Sequence, residues 1–275
     1  MYSRAYVEIT NICNMNCSFC HGHNRAPRQM SEAEYAHVLE QLSGKTQYIY
    51  HHLMGEPLVH PLLPRFIQMA RRAGFCPMIT TNGTLLDTHG DALLDIGLHK
   101  VNISVHSFEK DQPDAHRKYI EKVVQFSEKG NKSGTIISLR LWNKGCDEGR
   151  NETTVTLLQQ MLSGQWTSNT RGYRIRDRLF LEWGDRFSWP DLNAPHRGDR
   201  VFCYGLRDHF GILCDGTVVP CCLDSDGSIP LGNVFREELS DILSSSRAQN
   251  IANGFRCRTA TEDLCRHCGY AQKHQ

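Results

Sequence analysis

"AYVEITNICNMNCSFCHGHN", residues 5–24, decides how the rest of the chain is read. It opens as a β-rich run, AYVEIT (5–10), and then breaks into a polar loop that carries Cys13, Cys17 and Cys20 within eight positions. Three thiols are one short of a closed zinc site, which takes four ligands, and an odd number fits no disulfide framework. The loop therefore offers a soft ligand set with one position left open.

Beyond that loop, short β-like runs alternate with amphipathic helical stretches as far as residue 182. SEAEYAHVLEQL (31–42) reads as a helix with Ser31 as N-cap and Glu34 in the capping-box position. TQYIYHHL (46–53) is β-rich, and LLPRFIQMARRAG (62–74) is helical up to a C-terminal glycine. The strands FCPMITT (75–81), KVNISVHS (100–107) and GTIISLRLW (134–142) alternate with helices at 85–97, 112–130 and 152–164, and YRIRDRLFLEW (173–183) reads as a sixth strand. Six βα units in succession predict a parallel sheet with crossover helices. In such sheets the chemistry sits at the carboxyl ends of the strands, and the cysteine triplet lies in the first of those loops.

The 275 residues balance 31 Lys+Arg against 30 Asp+Glu, so no global field favours a nucleic acid. No signal peptide and no membrane-spanning run is visible, and a cytoplasmic location is the default expectation. Twelve cysteines are many for such a chain. In a reducing compartment, clustered thiols hold metal or do redox chemistry rather than form disulfides. They bunch at 13/17/20, 203/214/221/222 and 257/265/268, leaving Cys76 and Cys146 as isolated small hydrophobes.

Three thiolates on a tight loop suit three corners of a [4Fe–4S] cluster with its fourth iron open; a zinc site borrowing His21 or His23 is the competing reading. With Phe19 ahead of the third cysteine, the loop resembles the defining motif of the radical S-adenosylmethionine (SAM) superfamily. The resemblance extends from residue 6 to residue 143 and implies a partial (β/α)6 barrel whose open iron is chelated by SAM. LMGEPLVHP (53–61) resembles the family's Gly-Gly-Glu-Pro segment with Met54 in the first glycine position. That assigns Glu56 to the SAM amine and Gly55 to close backbone approach. TTNGTLL (80–86) adds Asn82, VNISVHSF (101–108) adds Ser104 with His106 nearby, and SLRLWN (138–143) adds Arg140 for the SAM carboxylate and Asn143 behind it. The bland alternatives are an Asn-Gly turn at 82 and a strand-edge salt bridge at Arg140.

Past residue 200 the pattern changes. HFGILCDGTVVPCC (209–222) alternates about Asp215–Gly216, a hairpin signal, REELSDILSSS is a short helix, and the tail carries CRHC. This resembles the Twitch extension, the shorter relative of SPASM, and implies one auxiliary [4Fe–4S] cluster on Cys203, Cys221, Cys265 and Cys268. Cys214, Cys222 and Cys257 are left over, and a four-cysteine zinc ribbon competes because spacing does not separate the two. The expected organisation is thus a barrel over 1–182, a connector over 183–202 and a Twitch-like β-hairpin/helix domain over 203–275.

The resemblance implies an enzyme that takes an electron from a flavodoxin- or ferredoxin-type donor, cleaves SAM to a 5′-deoxyadenosyl radical and abstracts hydrogen from substrate. Dehydrogenation, elimination, bond cleavage or rearrangement would follow. Only a dozen residues precede Cys13, which leaves no leader-binding domain in this stretch and favours a small polar metabolite (a sugar, nucleobase derivative or amino acid) over a ribosomally made peptide. Aromatic and charged residues suit a flat polar ligand, and they place Tyr173, Arg176, Trp183, Asp185 and Trp189, with His106, in the expected substrate pocket. A non-enzymatic zinc or iron–sulfur binding protein is the remaining alternative.

Overall fold

A computed structural model describes residues 1–109 and 112–272. β1 (Arg4–Val7), β2 (Tyr48–Tyr50), β3 (Cys76–Thr81), β4 (Lys100–Ser104) and β5 (Ile136–Lys144) run parallel, joined by α1 (Glu32–Leu42), α2 (Leu63–Arg72), α3 (Leu86–Asp95) and α4 (Pro113–Lys132). After α5 (Arg150–Met161), the segment read as one sixth strand is instead a hairpin with a short third strand: β6 (Thr167–Asn169), β7 (Gly172–Arg176) and β8 (Leu179–Asp185). Only β8 joins the parallel set, beside β5. The turn at Asp177–Arg178, with Arg178 at φ 57°, divides the run; β-propensity does not report where a strand folds back. Six parallel strands therefore form an open barrel.

The capping box at α1 is present, Ser31 accepting from the Glu34 amide and the Glu34 carboxylate accepting from the Ser31 amide. On every parallel strand one parity faces the helices. Ala5, Val7, Ile49, Ile79, Val101, Ile103, Ile137, Leu139 and Leu181 have no exposed surface and pack on Tyr35, Val38, Phe66, Ile67 and Ile120. The core is this layer. The other parity points into the barrel and is polar, carrying Arg4, Tyr6, Tyr50, Asn102, Ser138, Arg140 and Glu182, because successive strand residues alternate faces. At the amino-terminal mouth a cavity of about 410 Å³ is lined by Arg4, Tyr48, Tyr50 and Met78.

The later region continues the same sheet. β9 (His209–Ile212) pairs parallel with β1, then β10 (Thr217–Val219) and β11 (Gly232–Asn233) follow antiparallel. The hairpin turns at Asp215–Gly216, with Gly216 at φ 87°. α6 (Leu239–Ser244), α7 (Ser246–Arg256), α8 (Asp263–Arg266) and α9 (Gly269–Gln272) complete the chain. α7 has no counterpart in the sequence reading: Asn250, Asn253 and Gly254 are weak helix formers, and burial of Ala248, Ile251, Ala252 and Phe255 holds it. The strand order runs β11-β10-β9-β1-β2-β3-β4-β5-β8-β7-β6, so the sheet passes unbroken across the connector near residue 200. No helix among the described residues is long and apolar enough to cross a membrane.

Candidate active site at the strand ends

The cysteine loop leaves β1 and is fastened on every side. Its turn closes through the Cys20 amide donating to the Cys17 carbonyl, 3.1 Å. The Asn14 amide donates to Thr84, 2.9 Å, and accepts from the Asn82 side chain, 2.9 Å. The Ser18 amide and hydroxyl donate to Glu109, at 2.7 and 2.5 Å. Trp189 donates its indole N–H to the Phe19 carbonyl, 3.1 Å. Cys17 lies 3.8 Å from the Ser107 carbonyl. Burial first, then the nearby Glu109, Cys13 and Cys20, lift the Cys17 pKa to about 11, and burial also raises Cys13. Such a set prefers a cationic group at its centre to free thiolates.

Gly55 explains why the segment after β2 reaches this loop. It sits at φ 74°, and a Cβ there would lie 2.5 Å from the Thr10 carbonyl oxygen and 2.9 Å from backbone atoms of Asn11 and Ile12. Only glycine allows the two backbones to touch. Glu56 is thereby buried beside Cys13, its amide donating to the Ile12 carbonyl, 2.9 Å. Its carboxylate accepts from the amides of Asn82, 2.7 Å, and Leu58, 3.1 Å. Burial nonetheless outweighs these bonds and raises its pKa to about 7. Glu56, Asn82, Cys13 and Gly55, separate in sequence, therefore meet at one point. Tyr119 on α4 donates to the Asn82 carbonyl, 2.8 Å, and is held by Phe108, 4.7 Å away; no spacing pointed to either.

Because Glu56 has a raised folded pKa, its ionisation opposes folding: the stability it withholds is absent at pH 4.5 and grows as pH rises through 7. Wild-type unfolding free energy in urea is expected to fall between pH 5 and pH 8 by roughly 3 kcal/mol at most, and Glu56→Gln to lack that slope. Equal slopes in the two proteins would remove this reading. Gly55→Ala is expected to cost more than the ~1–2 kcal/mol of a left-handed non-glycine residue, since the contact is with backbone that must shift; a thermal midpoint within 2 °C of wild type, about the shift of the smallest such loss, would contradict it.

Ser104 ends β4 opposite Arg140 on β5. Arg140 turns inward, with its guanidinium 3.6 Å from Glu182 and 4.3 Å from the Trp142 ring. Burial lowers its pKa. His106 packs 4.8 Å from Phe19, its Nδ1 2.9 Å from the Arg140 carbonyl, between the cysteine loop and β5. The Asn143 side-chain oxygen is taken by Asn151 of α5, 2.9 Å, so Asn143 ties a loop rather than facing the barrel.

The expected substrate residues after 171 divide. Arg176 pairs with Glu128, 2.8 Å, and donates to Asn131 near the end of α4 and to Ser163 just after α5, so it lies away from the cysteine loop. Tyr173 packs on Trp166 at the sheet edge, 5.8 Å, and Trp183 lies against Gly172 of the same hairpin. These three belong to the edge hairpin, a consequence of the fold-back at 177–178. Asp185 ends β8 opposite Lys144. Trp189 reaches the cysteine loop, in a cleft of about 480 Å³ lined with Phe19, Cys20, His21, Cys146, Arg186 and Phe187.

At the other end of the chain Cys203, Cys221, Cys265 and Cys268 share one neighbourhood. Burial first, then Cys203, Cys222, Cys265 and Cys268, raise the Cys221 thiol pKa well above the usual value. The Gly205 amide donates to the Cys203 sulfur, 3.3 Å, and the Cβ position of Gly205 lies 3.4 Å from Cys203 Sγ and from Cys221 Cβ. Cys222 lies between this set and the barrel, with a side-chain hydrogen bond to Tyr6. Cys257 is exposed at the end of α7, and Cys214 is buried elsewhere, its sulfur 3.8 Å from Arg25.

The fold and the two cysteine neighbourhoods define an enzyme class: the chain belongs to the radical SAM superfamily, whose model matches residues 7–138, and carries a SPASM iron–sulfur cluster-binding domain at 203–269. Its cofactors are SAM and iron–sulfur clusters, one bound in the barrel and the auxiliary one in the C-terminal domain, in place of the zinc alternatives. Among particular proteins, GTP 3′,8-cyclase of Chlorobaculum tepidum is 32% identical over 111 residues, 38% of this chain and 33% of that protein. The chain thus spans about a third of the length of this curated relative. The structure of BtrN in complex with AdoMet and 2-DOIA aligns over 98% of this chain and 93% of that one, TM-score 0.62 at 19% identity. That of anSMEcpe with AdoMet and a peptide aligns over 97% and 88%, TM-score 0.64 at 13% identity, which shows the shared fold.

Proposed function

We propose that the chain cleaves SAM reductively at the carboxyl ends of its strands and directs the radical at a small polar molecule held in the barrel. Cys13, Cys17 and Cys20 would hold the first cluster, and Cys203, Cys221, Cys265 and Cys268 the auxiliary one. The residues fit these groups: three thiols stand on one fastened loop, and Cys203, Cys265 and Cys268 stand around Cys221. When bound, the first cluster with SAM supplies a 5′-deoxyadenosyl radical.

The chain's own residues orient and shield. Glu56, held by the Asn82 and Leu58 amides, presents a carboxylate for an amino group beside Cys13. Arg140 presents a fork-shaped donor suited to a carboxylate, and Phe19 with His106 closes the side toward β5. The polar lumen between them can bind a small hydroxyl- or amine-bearing molecule. The observation that carries the reading is the convergence of Cys13, Glu56 and Asn82, which lie on three separate loops.

Anaerobic reconstitution tests it. About eight irons per chain, two clusters of four, together with 5′-deoxyadenosine formed from SAM under reductant, is the expected result. Zinc-only occupancy without 5′-deoxyadenosine would refute it.

A further inference from the structure

Among the described residues, seven buried side-chain polar atoms have no hydrogen-bond partner, and three of them face the barrel lumen with no carboxylate beside them, His52 Nδ1, Asn102 Oδ1 and Ser138 Oγ; a fourth, Arg140 Nε, lies 3.6 Å from Glu182. Buried polar groups are as a rule satisfied, so a group of exceptions on one surface calls for a cause. These four come from three strands. Asn102 and Ser138 are direct neighbours across β4 and β5, and Arg140 is two residues further along β5 on the same face. His52, just past β2, stands edge-on to the stacked Tyr6 and Tyr50, at 5.6 and 5.5 Å. Asn102 spends its amide N–H on Thr80, 3.1 Å, leaving its oxygen over.

The four atoms differ in kind. An amide oxygen only accepts, a guanidinium N–H only donates, and a hydroxyl and a neutral imidazole do either. A ligand hydroxyl also donates and accepts at once, so several hydroxyls on a compact frame match the set. The charges agree. Arg140 and Lys100 face Glu182, while Arg4 is closed off by Asp208 at 2.5 Å. Of Arg140, Lys100 and Glu182 two are positive and one negative, which leaves a single positive charge. A nucleoside triphosphate would bring about four negative charges against that single positive one.

We propose that the lumen binds an uncharged polyhydroxylated molecule, a sugar or cyclitol, through Asn102, Ser138 and His52, and does not bind a nucleoside triphosphate. This rests on the SAM-cleaving reading above. The test uses the full chain reconstituted with its clusters and SAM, with D-glucose, myo-inositol and GTP as probes in thermal-shift and equilibrium-binding measurements. A midpoint rise with one of the two polyols is expected, with binding at least tenfold weaker in Ser138→Ala, and no rise with GTP. Ser138→Ala is expected to unfold at the same or a higher temperature than wild type without probe, because the hydroxyl it removes has no partner to lose. A wild type that binds neither polyol, polyol binding unchanged in Ser138→Ala, or a GTP shift that Ser138→Ala abolishes would each overturn the inference. If wild type forms no 5′-deoxyadenosine, the failure belongs to the underlying reading; if it forms 5′-deoxyadenosine yet binds no polyol, only the ligand class is wrong.

Discussion

Cys17→Ala is expected to reduce 5′-deoxyadenosine formation to background while leaving the chain folded and about half its iron bound, about four of about eight. The loop does not depend on that thiol for its shape. Asn14 is tied to Thr84 and Asn82, Ser18 to Glu109, and Phe19 to Trp189, all by groups other than sulfur. Removing one half-buried thiol from such a loop should change apo stability by no more than about 0.5 kcal/mol, so lost activity would report lost ligation. Iron analysis, the visible spectrum of the remaining cluster and the urea midpoint of the apo protein check the three parts. Cleavage that survives would show that this loop does not hold the SAM-binding cluster, and loss of all iron would show that the two sites do not load independently.

Arg25→Ala is expected to destabilise the fold by about 3–5 kcal/mol, the cost of leaving one half of a buried ion pair alone. The Glu8 side chain has no exposed surface, and its two oxygens meet Arg25 at 2.6 and 2.7 Å. The same carboxylate accepts from the amides of Met54, 3.2 Å, and Cys214, 3.1 Å, and Arg25 also donates to the Ser225 carbonyl, 2.8 Å. Asn24 bonds Asp226, and Arg28 bonds the Cys214 carbonyl. Residues 23–28 are thus a strap leading directly out of the cysteine loop and fastened to the C-terminal hairpin. At about 2–4 °C per kcal/mol for a chain of this size, a thermal midpoint lowered by about 6–20 °C is anticipated. The double variant Glu8→Gln/Arg25→Ala should recover part of it, because no unpaired charge remains. A single-variant loss below 1 kcal/mol would show that Glu8 finds another partner.

Much of the site was legible along the chain. Glycine, glutamate, asparagine and cysteine at short intervals after strands point to a ligand because each does something its neighbours in a generic loop would not. Gly55 shows this at its strongest, since its φ of 74° and its contact with Thr10 exclude a side chain. The capping box at Ser31 and the turn at Gly216 were legible for the same reason: their bonds are made within a few residues. That Arg176 and Tyr173 lie on an edge hairpin was not legible, because the fold-back at 177–178 depends on pairing with β5 and on an edge strand, contacts made at long range. Tyr119, Ser107 and Glu109 were passed over because a helix face or a 3-10 turn brings them to the loop without local pattern.

The sequence by itself determined the class of chemistry, because cluster ligation depends on residue type and close spacing, both of which are one-dimensional. It also determined the six-unit βα order, which follows from hydrophobic periodicity. Only the tertiary structure decided that the late hairpin continues the barrel sheet through β9 and β1, and that the strap at 23–28 locks the first cysteine loop to that hairpin. It alone gathered Arg140 with the unmet polar atoms of Asn102, Ser138 and His52 in one lumen. Burial, charge balance and unmet polar groups are properties of a closed surface, and no stretch of chain possesses them before the strands pair.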